Sequence, residues 1–145
     1  MYEILSSYED SIFDHVYVKY RESYYPPTTG FHKHNYYEIN FFISGNVKVF
    51  LPDCVDESGF SRIGLTRPGT PHFVSCASDK LYRRFYLLFL KEFLEKTFPE
   101  CDVLLQKLFA FKGKIAAVSQ MQQDFCKMLI AKMEHETSLL RKNYL

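Results

Sequence analysis

A chain of 145 residues that is 47% apolar and 24% charged is long enough to bury one core and too apolar for a disordered segment. Its formal net charge of +1 gives no overall field that would draw the domain onto nucleic acid. No apolar run reaches the length of a membrane span, and the polar, acidic residues 1–11 lack the pattern of a secretory leader.

In chain order, residues 12–19 alternate weakly and contain Val16, Tyr17 and Val18, which predicts a strand. Tyr24-Tyr25-Pro26-Pro27-Thr28-Thr29-Gly30 holds two prolines and a glycine and is predicted as a loop or arm. Residues 37–44 are a strong strand, Gly45-Asn46 reads as a tight turn, and residues 47–51 are expected to pair back as a hairpin. Residues 52–59 are a polar, acidic loop. Residues 62–66 form a short strand ended by Pro68-Gly69, residues 72–75 another, and residues 81–89 a long apolar one. Short strands punctuated by turn residues suggest a sandwich or barrel.

The period then changes. Residues 91–98 are helical until Pro99, and residues 102–111 form a second helix with Asp102 as its expected N-cap. Lys112-Gly113-Lys114 breaks that helix, and Ser119 is placed to cap a final one running to about residue 140. Its apolar residues, Met121, Phe125, Leu129, Ile130, Met133 and Leu140, recur at helical spacing. That stripe is broad enough to pack on the barrel and on a partner subunit. Met121, Met128 and Met133 read as helix-packing residues. Cys54, Cys76, Cys101 and Cys126 are far apart and have no CxxC spacing, so reduced, core-filling thiols in a cytoplasmic protein are expected.

The chemistry concentrates in one place. His32 and His34 are one residue apart and point to one side of a strand, and Glu38 returns to that side. His72 follows the turn Pro68-Gly69-Thr70-Pro71. Three imidazoles and a carboxylate converging from two strands can hold Zn, Ni, Fe or Mn, hydrogen-bond a small ligand, or satisfy one another as a polar core. His15 and His135 lie outside this set. If Glu38 points inward, so do Asn40, Phe42 and Ser44, giving a mixed pocket wall, while Tyr37, Ile39, Phe41 and Ile43 form an outer face that helices or a second subunit must cover. Arg84, Tyr86 and Leu88 share a face of their strand. Arg84 can bind a carboxylate or sugar hydroxyls if that face is the pocket, or reach solvent from the strand end. Tyr24 can close over a ligand from the arm, or pack as ordinary surface.

The spacing His32-x-His34-x₃-Glu38-x₆-Gly45 resembles the first motif of the cupin superfamily. Gly69-Thr70-Pro71-His72 supplies part of the second, with Arg67 where that motif has Pro and Cys76 where it has Asn. HKHNYYEINFFISG, the PGTPH turn and YRRFYLLFLKEFLEKTF together resemble the amino-terminal sensor domain of AraC-type transcription regulators, over about residues 10–140. The resemblance implies a mainly β fold: a cupin-like jelly-roll barrel over about residues 10–90, then two or three α-helices over about 91–145, all in one domain.

It also implies a function. The barrel would bind a small effector of the sugar or aromatic-metabolite class, the carboxy-terminal helices would form a homodimer, and DNA would be bound by a helix-turn-helix domain beyond residue 145. No recognition helix with a basic face lies within the chain. The pocket would comprise His32, His34, Glu38, Asn40, Phe42, His72, Arg84, Tyr86 and Tyr24, with no catalytic residue. The alternative is a small metal-dependent cupin enzyme, a dioxygenase, isomerase or decarboxylase, whose metal would sit on His32, His34, Glu38 and His72. A free-standing metabolite-binding module is the third reading.

Overall fold

The structure is a computed structural model that describes residues 2–3, 16–24, 30–57, 62–76, 81–110 and 113–143. In chain order the described elements are β1 (Tyr2–Glu3), β2 (Val16–Ser23), β3 (His32–Lys33), β4 (Tyr37–Ser44), β5 (Val47–Leu51), β6 (Cys54–Asp56), β7 (Arg62–Thr66), β8 (Phe73–Cys76) and β9 (Tyr82–Phe89). They are followed by α1 (Lys91–Thr97), α2 (Cys101–Leu108), β10 (Gly113–Ala117) and α3 (Gln120–Asn143). Most of the proline arm and the first part of the strand expected at residues 12–19 lie outside the described residues.

Two sheets carry the architecture. One has five strands in the order β10-β7-β4-β9-β2, and the other has three in the order β6-β5-β8. β3 pairs in parallel with β1 and is tied to the start of β8 by a reciprocal bridge, His32 N–H to His72 O at 3.0 Å and His72 N–H to His32 O at 2.9 Å. Alternation along β4 and β9 sets two faces on the larger sheet. The inner face packs Phe42 and Tyr82 against Val47, Val49, Leu51 and Val74 of the smaller sheet, with Ile115 of β10 beside them. The outer face sets Val16, Val18 and Phe89, flanked by Tyr37, Ile39, Leu65 and Leu87, against Cys101, Leu105 and Phe109, with Phe93, Leu94 and Ile130 around them. The apolar outer face of β4 is thus covered by this chain's own helices.

Three expectations are corrected. β5 does not form a hairpin with β4: it pairs with β6 and β8, while β4 pairs with β7 and β9. Gly45 turns the corner between sheets with φ +114°, and a Cβ there would stand 3.0 Å from the Cα of Tyr82, so any side chain is strained and crowded against main chain. The loop expected over residues 52–59 contains β6, folded back on β5. The break after α2 contains β10, which closes the larger sheet by pairing with β7, so the segment after residue 91 returns to the barrel before α3 begins.

The helix ends divide in the same way. α2 starts at Cys101, so Asp102 is in its first turn, and the N-cap is Glu100, whose side chain makes no cap hydrogen bond. Asp102 there complements the helix dipole and accepts a 2.8 Å contact from Lys91 Nζ. Ser119 does cap α3: its Oγ accepts from Gln122 N–H at 3.3 Å, and Gln122 Oε1 accepts from Ser119 N–H at 2.8 Å, a capping box. No helix among the described residues is long and apolar enough to cross a membrane.

Candidate functional site

His32, His34, Glu38 and His72 meet inside the barrel, all buried. The backbone dictates this. β3 and the reciprocal bridge bring His32 beside His72, and Gly69 N–H donates to His34 O at 2.8 Å, clamping the turn before His72 against the His32–His34 segment. The ring centroids of His32 and His72 are 4.2 Å apart and those of His34 and His72 5.1 Å. One ring nitrogen from each of the three lies within 4.8 Å of the other two.

Each imidazole is oriented by a main-chain carbonyl on its Nδ1 side. The Nδ1 of His34 lies 3.1 Å from Tyr36 O, that of His72 2.9 Å from Thr70 O, and that of His32 3.5 Å from Gly30 O. A carbonyl oxygen only accepts, so the well-formed contacts of His34 and His72 place a proton on Nδ1 and turn Nε2 inward. His34 Nε2 lies 2.8 Å from Glu38 Oε2 and His72 Nε2 lies 3.4 Å from the same oxygen. The second contact is an ion-pair distance, but its direction is not that of a hydrogen bond, and His72 Nε2 remains a buried nitrogen without a hydrogen-bond partner. Asn40 Nδ2 donates to Glu38 Oε1 at 3.2 Å, while Asn40 Oδ1 is buried with no donor.

The electrostatics follow from burial and proximity. Burial works against an ionised Glu38, but the charge of His72 and the hydrogen bond from His34 outweigh it and hold the carboxyl well below its usual range. Burial likewise works against a charged His72, and the charge of Glu38 outweighs it and raises His72. For His32 burial, reinforced by the charge of His72, prevails over the opposing charge of Glu38 and the Gly30 carbonyl and brings it down to about 4. Without a metal, Glu38 is favoured as the carboxylate, His72 is biased toward its charged form by it, and His32 toward its neutral form.

The donor set fits a divalent metal. Histidine ligands characteristically give their other ring N–H to a carbonyl, as His34 and His72 do here, and ligands about 2 Å from one ion stand about 3 Å from each other. The mutually close ligand atoms are those of His32, His34 and His72, Glu38 Oε2 stands 2.8 and 3.4 Å from two of them, and the His72 Nε2 that lacks a hydrogen-bond partner is the atom a metal would take up.

The remaining expected residues fall elsewhere on the inner face. Phe42 is 1% exposed and belongs to the apolar half of the barrel, and Ser44 lies past a register shift, its Oγ donating to Leu81 O at 3.4 Å. Arg84 points inward, 5% exposed, rather than out to solvent. Its guanidinium lies 4.3 Å over the ring of Tyr82 and 6.0 Å from that of Tyr86, and Nη1 donates to Ser23 Oγ at 3.1 Å. Tyr86 is buried, and its hydroxyl accepts from Arg21 Nε at 3.3 Å. Tyr24 is 55% exposed. Sequence reasoning missed Tyr82, although it precedes Arg84 by two and so shares its face. It also missed Arg21, which reaches this region only through the pairing of β2 with β9. The buried hydroxyls of Thr66 and Thr70 carried no sequence signal.

Two sheets closed around one polar and one apolar half, backed by helices, make a cupin-like barrel with a carboxy-terminal helical segment. Among solved structures, ToxT of Vibrio cholerae shares that architecture. Wild-type ToxT of strain SCE256 with bound unsaturated fatty acid superposes with a TM-score of 0.57 at 13% identity, over 90% of this chain and 52% of ToxT. ToxT of V. cholerae O395 bound to (E)-4-(8-methylnaphthalen-1-yl)but-3-enoic acid gives 0.55 at 11% identity, over 90% and 54%. A further V. cholerae ToxT structure gives 0.54 at 12% identity, over 80% and 47%. At such identity the likeness is one of fold, and the chain spans about half the length of the ToxT chains it matches. No family model matches the chain, and no curated protein matches it significantly in sequence.

Proposed function

We propose that this chain is the effector-sensing and dimerisation domain of an AraC-type transcription regulator, acting in the cytoplasm and controlling DNA binding by a helix-turn-helix domain outside residues 1–145. The observation that carries this reading is the fold likeness over nine-tenths of the chain to ToxT, itself an AraC-family protein, of which it covers only half. Two of those ToxT structures hold a small organic molecule. The barrel offers what such a ligand needs, an aromatic wall and a few convergent polar groups, with two buried polar atoms, Asn40 Oδ1 and His72 Nε2, that lack a hydrogen-bond partner. On the residues alone the effector is a sugar or an aromatic metabolite. Binding acts on DNA only through a difference in affinity for two arrangements of the arm or helices. The test is the source gene read past codon 145. A continuing frame of on the order of 100 residues, basic overall and with two helix-turn-helix patterns, is expected, and its absence removes the regulator reading.

A second reading is favoured by one observation, the orphaned Nε2 of His72 facing Glu38 beside two further imidazoles. His32, His34, Glu38 and His72 would hold Zn, Ni, Fe or Mn, and the ion would supply Lewis-acid polarisation of a bound oxygen, as a cupin dioxygenase, isomerase or decarboxylase requires. Without the ion, the same residues bind and orient a polar group. Metal analysis of protein purified without chelator or nickel resin separates the cases. Less than about a tenth of an equivalent sinks the metal reading.

A further inference from the structure

Register sets three rows across β9 on the outer face of the larger sheet. Tyr37 and Val16 flank Phe89, Ile39 and Val18 flank Leu87, and Phe41 and Tyr20 flank Phe85. The middle row is aliphatic, while the rows on either side carry aromatic rings. Tyr37 stacks on Phe89 with centroids 5.3 Å apart, and Tyr20 packs on Phe85 at 4.9 Å. Shorter side chains between taller ones leave a trough over Ile39 and Leu87. The helices close over that trough without filling it, and a cavity of about 190 Å³ remains between them and the sheet. Phe93 and Leu94 of α1 and Leu105 of α2 wall it. The exposed lining residues are Leu104, Leu108 and Met133, so the cavity opens between α2 and α3.

Voids larger than a water molecule are few in a domain of this size. Every residue lining this one is apolar, and no nitrogen or oxygen atom faces the hollow. The lining side chains lack dispersion partners on that side, and water finds nothing to bond. An apolar cavity of roughly 150 Å³ stays dry and accepts benzene. A carboxylate would be stripped of its water here with no donor in return, which excludes acids. The cavity also lies across the sheet from His32, His34, Glu38 and His72, because Ile39 alternates with Glu38 and Asn40 along β4.

We propose that this cavity is a second binding site, separate from the inner polar cluster, for one small neutral apolar molecule the size of a benzene ring bearing a short alkyl chain. Such an occupant touches the sheet, α1, α2 and α3 at once. It therefore binds only where the helices are docked, and it stabilises that docking. Because the site lies outside the barrel interior, it stands or falls apart from the sensing role proposed above.

The test is NMR titration of the whole methyl-labelled chain with toluene and with benzoate. Toluene is expected to saturate, with nuclear Overhauser contacts to the methyls of Ile39, Leu87 and Leu105, and benzoate to bind about tenfold or more weaker. Leu87→Trp fills the trough from its floor and is expected to weaken toluene about tenfold or more. Val103→Ala, exposed on α2 and outside the cavity, is expected to keep toluene affinity within about twofold. Should circular dichroism show Leu87→Trp unfolded, Leu108→Trp at the exposed opening replaces it. Unchanged toluene affinity in the folded filling variant overturns the proposal. So does the lack of saturable toluene binding, contact only with Val47, Val49 and Val74 of the inner core, or equal binding of benzoate. Toluene binding by monomeric Phe125→Glu but not by wild type overturns a small molecule as the occupant and assigns the cavity to a side chain of a second copy.

Discussion

At the scale of single residues, the buried site makes stability depend on pH in two opposed ways. Neutral His32 is held down to about 4, whereas histidine in the unfolded chain titrates near about 6.5. Between these values the unfolded chain binds more protons, so His32 contributes stability that is present above about 6.5 and lost as pH falls toward 4. Urea unfolding of EDTA-treated protein should therefore show wild type gaining on His32→Gln as pH rises from 4.5 to 7, and parallel curves would contradict a neutral buried His32. The raised His72 works the other way. Its contribution is full below the unfolded value near about 6.5 and is lost as pH rises through its higher folded value, while that of Glu38 is lost only as pH falls through its depressed one. Glu38→Gln leaves a buried imidazolium unpaired and should cost roughly 3 kcal/mol at pH 6, where that charge is present. By pH 8 the imidazole can shed its proton, so the cost there should be smaller; an equal cost at both values would contradict the ion pair. His32, His34, Glu38 and His72 were legible in sequence because period-2 spacing and a Gly-Thr-Pro-His turn fix where imidazoles point. The partners of Arg84 were not, since Ser23 and Arg21 approach it from a strand some sixty residues away.

At the scale of elements, what the sequence hid was pairing rather than conformation. β4, β5, β7 and β9 read correctly as strands from their alternation, yet Gly45-Asn46 reads equally well as a two-residue hairpin turn and as the corner of a barrel. Which it is depends on Tyr82, whose backbone leaves no room for a side chain at residue 45. β10 is five residues, Gly-Lys-Ile-Ala-Ala, with no alternation strong enough to announce a strand. It exists because β7 offers an edge. Glycine substitutions separate the two contributions at the corner. Gly69, φ +76°, has open space where a Cβ would go, so Gly69→Ala should cost about 1 kcal/mol of backbone strain. Gly45→Ala adds a clash with main chain and should cost more, about 2–3 kcal/mol. Equal denaturation midpoints for the two variants would show that the corner relaxes. At the start of α3, Ser119→Ala removes the acceptor for Gln122 N–H and should cost about 1 kcal/mol in the same assay.

At the scale of the whole molecule, α3 is turned the wrong way for a helix that serves only its own barrel. It lies along β2 and β9. Over residues 120–136, whose burial is described, it buries or half-buries Gln123, Cys126, Lys127, Ile130 and Glu134, and of these Ile130 joins the apolar cluster. Met121, Phe125, Met128 and Leu129 face outward, Met121 80% and Phe125 56% exposed. Val103, Leu104 and Leu108 of α2 are exposed as well. An amphipathic helix placed with its polar face inward and its apolar face out is stable in water only if something covers that face. A second copy of the chain would do so with the same stripe, which is self-complementary about a two-fold axis. The homodimer proposed for this domain then predicts that sedimentation finds a dimer at tens of micromolar, and that Phe125→Glu shifts it to monomer. Because Phe125 touches little of its own barrel, that variant should unfold within about 0.5 kcal/mol of a wild-type monomer, so the loss of association would not be a loss of fold. A wild-type chain that stays monomeric at 100 μM or so would remove the second copy as the cover of α3 and leave the stripe to a different partner.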